Sequence, residues 1–293
     1  MKRTLKALAF SALSLAVLPA FAQTMATIQQ EGSLGVAAID QRSDIPLLEA
    51  SIVQRSGVAN QATIQQRGIE VYAAVIQSGD RNIAQVRQDD DGADVTIEQQ
   101  GAGRNSAYVE QVTRSGSVAI QQNGAGNQAR INQLGINIRA EVSQHGTGNV
   151  ALVNQDDVET QRVKVDQHGT NNRADVDLRA LQPSTVSVEQ HGTDNVATVR
   201  GNGESVAIGQ DGTGNEADIN VNGIGTVATI EQGGTGNRGY IVSVGDANSA
   251  TIRQGGQNNL ARIDQNGSGL TATIIQNTVN PGYGNVASIV QRH

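Results

Sequence analysis

The sequence contains no cysteine and no tryptophan, and aromatic residues make up only 2% of its 293 positions. Without cysteine there are no disulfide staples, so a secreted chain of this kind must draw its stability from elsewhere. Without aromatics there is no thick aromatic core. Cations are also short: 21 Lys and Arg stand against 28 Asp and Glu, a formal net charge of −7. A chain of that sign repels nucleic acid and anionic lipid, so neither is an expected partner. Long apolar runs are missing too, except at the N-terminus.

That exception reads as a targeting signal. Lys2, Arg3 and Lys6 form a basic start, Ala7 to Val17 an apolar run, and Pro19-Ala20-Phe21-Ala22 an Ala-x-Ala cleavage site. The run falls short of the roughly 20 residues that span a bilayer. Residues 1–22 are therefore expected to be a signal peptide and 23–293 the mature chain, with no membrane span after cleavage. Losing the three cations takes the net charge to −10.

Glycine is abundant, with 34 residues, and most of it belongs to one phrase repeated through 23–293. A Gln is followed by Gly two positions on, Asn five on, Ala seven on, Ile or Val nine on and usually Gln eleven on. One copy reads Val118-Ala-Ile120-Gln-Gln122-Asn-Gly124-Ala-Gly-Asn127-Gln-Ala129-Arg-Ile131-Asn-Gln133. The lead glutamines are Gln30, Gln54, Gln77, Gln99, Gln122, Gln144, Gln167, Gln190, Gln210, Gln232, Gln254 and Gln276. A fixed period of this length is the mark of a repeat architecture.

Within each copy apolar and polar residues alternate, as in Val163-Lys-Val165-Asp-Gln167, which is the period of a strand with one buried face. Between two such strands lies a Gly-bearing turn, for example His145-Gly146-Thr147-Gly148, and a second turn leads to the next copy. The expected fold is all-β: a β-solenoid of about twelve strand-turn-strand coils in two parallel sheets, rising roughly 4.8 Å per coil. Alternation puts the lead Gln, the Asn and the closing Gln inward beside Ala and Ile or Val, where each amide can bond its equivalent above and below. One coil buries only a few side chains at about 1.5–3 kcal/mol each. Ordering its backbone costs about 1–2 kcal/mol per residue, so a lone coil stays unfolded and coils must add to coils.

The phrase Gln-x-Gly-x-x-Asn-x-Ala-x-x-x-Gln, complete in the copies led by Gln77, Gln122, Gln144 and Gln254, resembles the curlin repeat. That resemblance implies a subunit of extracellular amyloid fibres that Gram-negative bacteria build into a biofilm matrix, mediating adhesion and aggregation. It also implies export through an outer-membrane secretion pore, and a curlin homologue acting as nucleator or major subunit. The assembly residues carried over are Gln77, Asn82, Gln88, Gln122, Asn127, Gln133, Gln144, Asn149, Gln155, Gln254, Asn259 and Gln265. Cofactors are not implied.

The chain departs from the family pattern in several places. A Ser six residues before the lead Gln is mostly replaced (Val71, Gly116, Ile138, Gln161, Glu204), though Ser184 keeps it. No Gly-rich segment precedes the first copy. The closing Gln becomes Leu178, Gly201, Val221 and Ser243 in four consecutive copies, where an amide ladder should break. Turn insertions stand near Arg55 and Gln100, and a longer one runs from Thr278 to Tyr283. These departures leave two alternatives open, a minor or nucleating curlin homologue and a soluble β-solenoid adhesin.

Local features were weighed as sites. His145, His168 and His191 each follow a lead Gln and should stack in a row, a metal or pH ladder on the sharp reading and a tolerated turn residue on the bland one. Asp89-Asp90-Asp91-Gly92-Ala93-Asp94 lacks the spacing and distal Glu of a calcium loop and reads as an acidic turn. Asp166, Asp175, Asp177, Asp218 and Asp264 read as gatekeepers that make stacking costly. No nucleophile sits beside a His and a carboxylate, so no catalytic site, cofactor or metal site is expected.

Overall fold

The computed structural model describes residues 3–10, 24–43, 47–179, 184–202, 205–278 and 284–293. The signal-peptide residues 11–22, Gln23, Glu204 and residues 279–283 of the last insertion lie outside the described residues. Among those described, every regular element is a strand. The chain forms two compact units, Met1–Gly148 and Asn149–His293, each a parallel β-solenoid.

In the N-terminal unit the lead strands are Met25–Gln30, Leu48–Arg55, Val71–Ser78, Asp94–Gly103, Ser117–Ala125 and Arg139–Thr147. They pair in parallel in that order. The closing strands Val36–Ser43, Gln61–Ile69, Ile83–Asp91, Ser106–Arg114 and Gln128–Ile136 form the second parallel sheet. Arg3–Phe10 adds a strand that runs antiparallel along Val36–Ser43. The C-terminal unit repeats the plan. Its closing strands run from Val150–Glu159 through Arg173–Arg179, Val196–Asn202, Glu216–Asn222, Arg238–Val244 and Leu260–Asn266 to Val286–Arg292. Its lead strands are Gln161–Thr170, Ser184–Thr193, Ser205–Thr213, Val227–Thr235, Ser249–Gln257 and Thr271–Asn277.

The alternation in sequence becomes alternation in burial. Along Val71–Ser78 the residues Val71, Ala73, Val75 and Gln77 point inward and are at most 1% exposed. Register keeps like on like: Ile97, Ile120 and Val142 stack, as do Gln99, Gln122 and Gln144. A slip of one residue would turn every inward side chain outward, so burial of the apolar set holds the register. The insertion near Gln100 is absorbed as a bulge opposite Asn123–Ala125, leaving the inward set aligned.

Close stacking explains the glycine two residues after the lead Gln. Gly124 has a φ of +125°, and a Cβ there would stand 2.0 Å from the carbonyl oxygen of Gly146. Only glycine satisfies both conditions. The residue that follows two positions later adopts the left-handed conformation as Gly148 at φ +68°. Asn171 and Asn258 replace it at +54° and +55°, as does Arg81 at +55° at a cost of about 1–2 kcal/mol.

The six residues tested above as replacements of the family Ser show why that position tolerates change. Val71, Ile138, Gln161 and Ser184 are all buried, part of the wall where one coil turns into the next. In the N-terminal unit Leu48, Val71 and Ala93 cluster there.

Candidate assembly site: the stacked amide rows

The inward amides form continuous rows in each unit. Along the lead strands of the N-terminal unit, Nε2 of Gln30 donates to Oε1 of Gln54 at 2.6 Å. The chain of bonds continues Gln54 to Gln77, Gln77 to Gln99, Gln99 to Gln122 and Gln122 to Gln144 at 2.7–2.8 Å. In the C-terminal unit Gln167, Gln190, Gln210, Gln232, Gln254 and Gln276 repeat it at 2.8–2.9 Å. Each Nε2 has a second hydrogen, which crosses the interior to a backbone carbonyl of a closing strand, as from Gln77 to Gln61 and from Gln254 to Arg238. One amide thus ties coil to coil and sheet to sheet.

The closing strands of the N-terminal unit carry a second row. Gln41 donates to Gln66, Gln66 to Gln88, Gln88 to Gln111 and Gln111 to Gln133, at 2.7–3.1 Å. In the C-terminal unit this row is interrupted. Leu178 and Val221 are 1% exposed, Ser243 is fully buried, and the amide chain survives only as Gln265 to Gln291 at 2.9 Å. Gln155 is buried opposite Leu178.

The asparagines work differently from the simple ladder expected of them. In the N-terminal unit Asn60, Asn82 and Asn105 use Oδ1 to accept the backbone N–H of the next asparagine at 2.9–3.1 Å. Their Nδ2 groups brace turns, Asn127 bonding the carbonyl of Gly146 and Asn82 that of Ser78. Side-chain to side-chain bonds appear in the C-terminal unit, where Asn195, Asn215, Asn237 and Asn259 each donate Nδ2 to the preceding asparagine at 2.9–3.1 Å. Asn149 lies at the head of this row, its Oδ1 taken by the N–H of Asn172. The role is turn closure first and stacking second.

All twelve residues singled out from the sequence are buried, none more than 3% exposed. Two braces of the second turn escaped that reading. Thr226 donates Oγ1 to the carbonyl of Gly245, and Asn248 donates Nδ2 to the carbonyl of Gly267 while accepting the N–H of Leu270. Asn248 stands half a repeat after Asn237, and that half-period was the available signal.

The acidic residues do not stack as like charges. Asp175 pairs with Arg173 at 3.5 Å, Asp177 with Arg179 at 3.2 Å, Asp218 with Arg200 at 3.3 Å and Asp264 with Arg262 at 2.8 Å. Asp166 lies between Lys164 and His168. The gatekeeper expectation is corrected accordingly: these are exposed ion pairs, each worth about 0–1 kcal/mol. Asp91 accepts the N–H of Ile69 and Asp89 faces Arg67, so the acidic turn binds the neighbouring coil. Burial raises the pKa of Asp94 above the usual carboxylate value. The His168 and His191 rings meet edge to face at 5.2 Å, with Nε2 of His168 on Asp166. Among the described residues no three His, Asp or Glu side chains are placed to hold a metal ion.

Two parallel sheets closed by glycine turns and filled by amide rows define each unit as a β-solenoid of strand-turn-strand coils. Residues 245–277 match the family model of the curlin associated repeat. That stretch holds Gln254, Gly256, Asn259, Ala261, Ile263 and Gln265, and the match supports a curlin-family protein. No curated protein matches the chain. No described helix is long and apolar enough to cross a membrane.

Proposed function

We propose that this is a secreted structural protein that polymerises into curli-like amyloid fibres of an extracellular biofilm matrix, where it mediates adhesion and aggregation. The observation that carries this reading is that each buried amide takes a partner from the next coil, so a terminal coil is incomplete by construction. The last strand, Val286–Arg292, illustrates it: its inward residues stay half exposed while those of interior strands are buried. An uncapped parallel edge is a template for further strands. Self-association needs neither cofactor nor catalytic group. On the same reading the chain starts at Gln23, leaves the cell through an outer-membrane curli-type pore, and works beside a curlin homologue.

The interrupted closing row of the C-terminal unit favours a second reading, a minor or nucleating subunit that seeds fibres made by another chain. Thioflavin-T fluorescence of the chain from Gln23, fresh from denaturant, separates the two. A lag abolished by a small amount of preformed fibre is the expected result for a fibre subunit. Immediate signal without a lag would mark a nucleator. A stable, monomeric, β-rich product with no signal would overturn polymerisation and leave a soluble adhesin.

A further inference from the structure

The hydrogen bonds along the glutamine rows all run one way. Nε2 of one coil donates to Oε1 of the coil that follows it in sequence, from Gln30 to Gln54 at the start and from Gln254 to Gln276 at the end. Rows built so must end in two different groups. Gln30 and Gln41 donate onward to Gln54 and Gln66, and their own Oε1 atoms are buried with no partner. These residues are 7% and 1% exposed.

At the other end the balance is reversed. Oε1 of Gln276 and of Gln291 are filled by Gln254 and Gln265, and each Nε2 has one bond, to the carbonyl of Leu260 or Thr271. An amide nitrogen carries two hydrogens, so each holds one N–H for the open side. The inward residues around these groups are the same at both ends. Ala26, Ile28 and Gln30 with Ala37, Ile39 and Gln41 match Ala272, Ile274 and Gln276 with Ala287, Ile289 and Gln291. They lie in the register that every interior coil uses.

We propose that copies of this chain join with a single polarity, the C-terminal coil of one copy seated on the N-terminal coil of the next. Nε2 of Gln276 and Gln291 donate to Oε1 of Gln30 and Gln41 of the second copy. This rests on the polymerisation reading and adds to it a direction and the groups that enforce it. Joining like ends would set acceptor against acceptor or donor against donor at both sites, so the contact is heterologous and open-ended. Arg42, which would lie over Arg292, is already held by Asp40 at 2.9 Å. Because Arg3–Phe10 occupies the edge of Val36–Ser43, the junction belongs to the chain that begins at Gln23.

Two variants of that chain test it. Q30K/Q41K keeps a donor for Gln54 and Gln66 and removes the acceptors; Q276E/Q291E keeps an acceptor for Gln254 and Gln265 and removes the donors. Each alone should elongate on its own seeds about tenfold more slowly than the unaltered chain, since its junctions oppose like groups. An equimolar mixture should regain growth to within about threefold, because intact ends meet intact ends and Lys meets Glu. A chain carrying all four substitutions is self-complementary and should also grow, which separates junction loss from misfolding. Single-end variants that grow like the unaltered chain, or a mixture no faster than either component, would overturn the polarity. If the unaltered chain forms no fibres, the polymerisation reading itself falls.

Discussion

In the N-terminal unit the inward row of the closing strands is glutamine at every step, Gln41, Gln66, Gln88, Gln111 and Gln133. In the C-terminal unit the same row reads Gln155, Leu178, Gly201, Val221, Ser243, Gln265 and Gln291. The substitutions are consecutive, and there is a physical reason for that. A lone apolar residue inside a glutamine row leaves an unused N–H on one side and an unused oxygen on the other, each costing about 1–3 kcal/mol when buried. A block of four creates the same two boundaries as a block of one. At one boundary Ser243 supplies the missing donor, its Oγ bonding Oε1 of Gln265 at 3.3 Å. Amide rows are therefore kept whole or removed in blocks.

The largest effect should come from Gly201, a glutamine position turned to glycine. Its φ is +101°, and a Cβ would stand 1.8 Å from the carbonyl of Val221. Gly201→Ala must move backbone, and we expect a loss of about 3 kcal/mol or more. Hydrogen exchange of the amides in Val196–Asn202 and Glu216–Asn222 reads it, since local opening need not follow global unfolding. Unchanged protection would mean that the block is tolerant and that its glycine is incidental.

Gln111→Leu should come next, at about 2 kcal/mol. It breaks the intact row at its middle, taking the acceptor from Gln88 and the donor from Gln133. Leucine fits the space, as Leu178 shows in the other unit, so the loss measures the orphaned amides rather than a cavity. Exchange protection in Ile83–Asp91 and Gln128–Ile136 should fall together. A neutral Gln111→Leu would show that the rows contribute nothing to cohesion and would remove the basis of the comparison.

Most of this architecture was legible in the sequence because a strand has a strict period of two. Once Ile120 is inward, Gln122 must be, and the repeat then fixes which residue lies over which. The partners of the asparagines were not legible. Periodicity places Asn127 inward at a turn, but whether its Nδ2 meets another amide or the carbonyl of Gly146 depends on the depth of that turn. The charges outside were misjudged for a related reason. Like charges recur along the sequence, yet Asp218 and Arg200 come together only when adjacent coils are stacked in register. The second-turn braces Thr226 and Asn248 lie off the main phase of the repeat and so carried no repeated signal.

The smallest test concerns the boundary itself. If Ser243 is where the interrupted row is made good, Ser243→Ala should cost about 1 kcal/mol, the loss of one donor to a buried oxygen. Ser243→Gln should lie within about 0.5 kcal/mol of the native chain, because its Nε2 can make the bond to Gln265 that Oγ makes now, while its own oxygen faces Val221 without a donor. The two substitutions thus separate the hydrogen bond from the shape of the side chain. Protection of Arg238–Val244 and Leu260–Asn266 that drops in both variants would assign the cost to packing at a fully buried site. A drop in Ser243→Ala alone would establish that one hydroxyl ends the apolar block and starts the amide row again.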